Sequence, residues 1–121
     1  MIKDFAIACN ADGRLEAFYI NEEGEVMHTW QSVDIRLSPW SRPNRLYGNR
    51  GLSDLPARAT HLSATRNHTG QIQVIAICRG GGMYLCRQIA FRNWEGWLKL
   101  DFDLNFERDL VSTQSSSSFP R

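Results

Sequence analysis

Two stretches of this chain carry the same order of residue types, and their spacing limits the possible folds more than any other feature. Asn10 to Gln31, NADGRLEAFYINEEGEVMHTWQ, is echoed by Asn67 to Gln88, NHTGQIQVIAICRGGGMYLCRQ, without a gap and at an offset of 57 residues. At that offset Asn10 meets Asn67, Gly13 meets Gly70, Ile20 meets Ile77, Gly24 meets Gly81 and Gln31 meets Gln88. Carried on, the offset brings Trp40 onto Trp97. The glycines fall where tight turns need positive φ. A fixed period of this size is the mark of a repeat architecture.

Each repeat reads as four strands. In the first unit Phe5 to Cys9 is followed by an Asp12-Gly13 turn, a strong hairpin signal, and then by Arg14 to Asn21. Glu25 to Gln31 is the third strand, Ser32 to Leu37 a polar loop, and Pro39 to Leu46 a short, Pro-broken segment suited to an outer edge. Tyr47 to Pro56 holds two glycines, Asp and Pro, and residues 47–58 read as the connection between units. The second unit repeats the order as Ala59 to Arg66, Gln71 to Arg79, Met83 to Ile89 and Trp94 to Phe102, with Gly80 to Gly82 as its tight turn. Both central strands carry apolar residues on both faces, as strands covered on both sides do. Asn105 to Leu110 has room for one helical turn at most. The Ser-rich stretch 111–121 cannot bury enough apolar area to offset its ordering, so a mobile tail is expected.

The fold expected is therefore all-β. It has two four-stranded antiparallel, propeller-like blades, residues 5–46 and 59–102, within one domain of 121 residues. Two blades cannot close a ring, which leaves three arrangements. Several chains assemble into an oligomeric β-propeller, the two sheets pack as a small sandwich, or the chain is a piece of something longer. The two-faced apolarity of the central strands favours self-association, with three or four chains closing six or eight blades.

Composition excludes several classes. A net charge of +1 with scattered arginines offers no electrostatic footprint for nucleic acid or an anionic membrane. Cys9, Cys78 and Cys86 are odd in number and lack metal-ligand spacing, so reduced thiols are expected. Neither a signal peptide nor a membrane span is legible, which points to a cytoplasmic protein or to export by a non-classical route. The Asn67-His68-Thr69 sequon then reads as accidental. His28, His61 and His68 fit no catalytic spacing, and no nucleophile elbow or phosphate loop occurs, so no enzyme and no cofactor is expected. Asp101, Asp103 and Glu107 lack the Gly and closing Glu of a calcium loop.

The segments ADGRLEAF, Gly24 to Gln31 with its terminal Trp30-Gln31, and Pro39-Trp40-Ser41 resemble one blade of the PLL-like lectins and tectonin-like propellers. In the second unit Gly70 to Val74 keeps the pattern by type, Arg87-Gln88 replaces Trp-Gln, and Trp94-Glu95-Gly96-Trp97 keeps the paired Trp. The resemblance implies a propeller lectin that binds fucose or related sugars between blades.

A neutral sugar is held by aromatic faces against its C–H-rich side and by planar polar groups at its hydroxyls. Trp30, Trp40, Trp94 and Trp97 are the candidate platforms, with Arg14, Glu16, Gln73 and Arg87 as hydrogen-bonding partners. A Trp repeated at the end of each unit also suits inter-sheet packing, and this applies to Trp40 and Trp97. The unmatched Trp30 and Trp94 are expected to be more exposed. If the units stack, Trp30 and Arg87 are expected on opposite walls of a shared groove, giving one site per chain. The competing reading is a non-enzymatic scaffold for a protein partner, with no sugar site.

Overall fold

A computed structural model describes residues 1–32, 39–47 and 54–100. Among these residues the chain is all-β. The first sheet holds β1 (Asp4–Cys9), β2 (Leu15–Ile20), β3 (Val26–Trp30) and β4 (Asn44–Arg45). The second holds β5 (Ala59–Arg66), β6 (Ile72–Cys78), β7 (Met83–Ala90) and β8 (Asn93–Lys99). Each sheet is an antiparallel meander with its strands in sequence order. The polar loop expected at Ser32 to Leu37 and the connection 47–58 are described only in part. The acidic group at Asp101, Asp103 and Glu107, the helical turn at Asn105 to Leu110 and the Ser-rich tail lie outside the described residues.

The 57-residue echo is a structural register through three strands. Phe5 lies opposite Tyr19 as Leu62 lies opposite Ala76, and Ala17 lies opposite Thr29 as Val74 lies opposite Cys86. The first turns match bond for bond: the Gly13 amide donates to Asn10 O at 2.8 Å, and that of Gly70 to Asn67 O at 3.0 Å. The repeated glutamines have a shared task. Gln31 Oε1 accepts from the Leu15 amide at 2.8 Å, and Gln88 Oε1 accepts from Ile72 at 3.2 Å, pinning the third strand to the start of the second.

The fourth strand breaks the echo. Arg45 and Lys99 hold equivalent places opposite Met27 and Tyr84, so the second unit arrives three residues early. Trp40, which bridges Gln31, therefore corresponds to Trp94, which pairs with Gln88, and not to Trp97 as the gapless offset implied. The irregular β7–β8 register, shifted between Cys86 and Gln88 and again between Gln88 and Ala90, is what the linear alignment could not carry. In the first unit the Pro-broken segment shrinks to the two residues of β4 and that bridge, consistent with the donor that Pro lacks.

The two sheets pack against one another around a single apolar cluster. Phe18, Ile20, Val26 and Leu46 come from the first unit, and Ile72, Val74, Ala76, Cys86, Trp94 and Trp97 from the second. Full burial of a side chain such as Phe18 or Ile72 is worth roughly 1.5–3 kcal/mol. Only one face of each central strand enters this cluster. Glu16, Phe18 and Ile20 of β2 turn in while Leu15 is exposed; Ile72, Val74, Ala76 and Cys78 of β6 turn in while Gln73, Ile75 and Ile77 are half-buried. Backbone and side chain tie the units together as well. The Ala59 amide donates to Gly24 O at 2.9 Å, and Trp97 Nε1 donates to Leu46 O at 2.8 Å.

Candidate ligand-binding groove

At one end of the joint between the sheets, the first turns of both units meet the β7–β8 turn. Asn10, Ala11 and Asp12 form one side of a groove of about 270 Å³, and Thr69, Gly70, Gln71, Gln88 and Phe91 line the rest. The repeat explains this convergence. Both turns carry Asn at the same place, so stacking the sheets brings equivalent turns side by side. The β7–β8 turn closes the end because Arg92 adopts a φ of 65°, a left-handed conformation that few non-glycine residues hold.

Beneath the groove lies a buried polar chain that crosses from one unit to the other. Gln88 Nε2 donates to Asn10 Oδ1 at 2.8 Å, and Asn10 Nδ2 donates to Glu16 Oε1 at 3.1 Å. A 2.6 Å hydrogen bond then joins His28 Nδ1 to Glu16 Oε2. All four side chains are buried, and each finds a partner, as buried polar groups must. Above them sits an aromatic and cationic rim. The Arg14 guanidinium lies 3.7 Å from the centre of the Phe91 ring, Trp30 meets Phe91 edge to face, and Arg92 lies 5.3 Å from the Trp30 ring centre. Asp12 anchors Arg14 through Nε at 2.8 Å. Its carboxyl is held below the usual range first by the Arg14 backbone amide and further by the guanidinium, so it stays an acceptor near neutrality.

The eight residues singled out from sequence do not converge. Arg14 and Trp30 share the rim, and Glu16 lies directly below them, held by Asn10 and His28. Trp94 and Trp97 belong to the core, so the expectation of an exposed Trp94 is corrected: it is 3% exposed and stands at right angles to both Phe18 and His28. Its indole Nε1 has no hydrogen-bond partner among the described residues. Trp40 sits half-buried beside Gln31. Gln73 and Arg87 pair across β6 and β7 on the outer face of the second sheet, where Arg87 binds Glu95 at 2.9 and 3.0 Å. Arg87 therefore cannot face Trp30 across the joint, because side chains alternate along β7 and its neighbours Cys86 and Gln88 take the inward places.

Sequence reasoning missed Phe91 and Arg92, which lie just beyond the echoed segment in a turn without a counterpart. It also assigned Asn10 and Gln88 no role, although both belong to the repeat itself. A second groove of about 180 Å³ opens near Gly24, Arg45, Asp54 and Arg58 at the opposite end of the joint. Among the described residues no group of three or more His, Cys, Asp or Glu is placed to hold a metal ion, and no helix is long and apolar enough to cross a membrane. In comparisons with known proteins, no family model and no curated protein sequence matches the chain.

Proposed function

We propose that this chain is a carbohydrate-binding module whose site is the groove over Asn10 and Gln88. One observation carries the reading. An aromatic ring (Phe91) and planar polar groups (Asp12, Gln71, Gln88) line one opening between the two units, and Arg14 and Trp30 pack against Phe91 beside it. A pyranose needs this combination, an apolar platform for its C–H face with acceptors and forked donors for its hydroxyls. The buried amide and carboxylate chain below holds the rim in place before a ligand arrives, which lowers the ordering cost of binding. The propeller-lectin resemblance suggests fucose or a related neutral sugar. A glycan array that includes fucosylated oligosaccharides tests this directly. Binding is expected for the parent, and Phe91→Ala and Trp30→Ala are each expected to weaken it by at least about 1 kcal/mol, as loss of an aromatic contact does. A parent that binds no glycan, with both variants folded, removes the proposal.

The alternative of a non-enzymatic interaction scaffold is favoured by a different observation. Phe5, Ile7 and Leu98 are large apolar residues exposed on the outer faces of the sheets, away from the groove.

A further inference from the structure

The two sheets do not meet through like faces. In the first unit Glu16, Phe18 and Ile20 point into the joint, whereas in the second it is the opposite face, Ile72, Val74 and Ala76. The shared register assigns every one of these residues a counterpart. Those of Glu16, Phe18 and Ile20 are Gln73, Ile75 and Ile77, on the outer face of the second unit. Those of Ile72, Val74 and Ala76 are Leu15, Ala17 and Tyr19, on the outer face of the first. The joint is therefore head to tail, and the chain presents at its two ends the two halves of a contact it already makes once inside.

The outer faces are built like surfaces meant to be covered. On β1, Phe5 and Ile7 are 63% and 50% exposed, and their counterparts in the internal joint, Leu62 and Ala64, pack against the core. On the second unit the counterpart of buried His28 is Leu85, and that of buried Glu16 is Gln73. The outer face thus replaces the charged Glu16 with an amide and its histidine partner with an apolar side chain. It also carries Arg87, paired with Glu95, where the first unit has Trp30.

We infer that a second copy of this chain docks head to tail, its first-unit outer face (Phe5, Ile7, Tyr19) covering the second-unit outer face (Ile75, Ile77, Leu85) of its neighbour. A joint between unlike faces either closes into a ring or runs on as a filament. With two sheets per chain, three or four chains complete a ring of ordinary size. The inference is independent of sugar binding, because the proposed groove lies within a single chain.

Sedimentation velocity on the full chain at micromolar concentration tests it. A discrete species of three or four chains is expected. Ile7→Lys and Ile75→Lys each spoil one half of the joint, and each alone is expected to sediment as a monomer with an unchanged β-sheet circular dichroism spectrum. Mixed in equal amounts, the two variants retain one intact joint between them and are expected to form a two-chain species and nothing larger. Should either fail to fold, Phe5→Asp and Ile77→Lys replace them on the same faces. A monomeric parent, a parent dimer joined through like faces, or a variant that keeps the parent's mass overturns the inference.

Discussion

Glu16 is the residue with the most at stake, since it is 1% exposed and holds one partner on each carboxylate oxygen. Glu16→Ala leaves the His28 imidazole buried without its acceptor and takes one from Asn10. The expected cost is about 3 kcal/mol of folding stability, set by stranded buried polar groups. Glu16→Gln keeps an acceptor at the same place and should lose no more than about half of that. Urea midpoints at unchanged slope read the difference. The thiols differ in a comparable way. Burial pushes Cys86 up to about 12, only partly opposed by the Gly96 backbone, and raises Cys78 as well, whereas Cys9 is half-exposed. Since the thiolate is the reactive form, an aromatic disulfide reagent at pH 8 should titrate Cys9 first, with Cys86 reacting only on unfolding.

Among the turns, Gly24 carries more than a hairpin. Its φ is +80°, and a Cβ there would lie 2.5 Å from Cβ of Arg58, on the strap that leads into β5. Gly13 has a similar φ of +93°, with open space around it. Both Ala variants meet the backbone strain of a left-handed residue, roughly 1–2 kcal/mol. Gly24→Ala must also push the strap away and weaken the bond from the Ala59 amide. Gly24→Ala is therefore expected to lower the thermal midpoint clearly more than Gly13→Ala, by calorimetry on the two variants side by side. Equal shifts would mean that the strap yields freely and that the junction is not anchored there.

At the scale of the whole molecule, one apolar cluster serves both sheets, so neither unit has a core of its own. The first unit alone would place Phe18, Ile20, Val26 and Leu46 in water, along with one half of the buried Asn10–Gln88 chain. The full chain is expected to unfold in urea in one transition, coincident by tryptophan fluorescence and far-ultraviolet circular dichroism. A peptide of residues 1–47 is expected to give an unfolded spectrum. Two separated transitions, or a folded first unit, would show that the sheets are independent and only touch.

What the sequence determined by itself is local or periodic. The hairpin turns follow from Asp12-Gly13 and Gly80 to Gly82, the strands from alternating apolar residues, and the common register of three strands from a repeat without gaps. Even the glutamine bond to the second strand is implicit in Gln31 recurring as Gln88. The outcome at the fourth strand shows where that logic stops. Its register depends on irregular pairing across β7 and β8, so Trp40 answers to Trp94 and the linear offset misleads. Only the tertiary structure decided which face of each central strand is buried, because β2 and β6 carry apolar residues on both. It alone turned Arg87 outward, sank Trp94 into the core and brought Phe91 over Arg14. Those relations join residues from different units, and no spacing along the chain encodes a distance across a joint between two sheets.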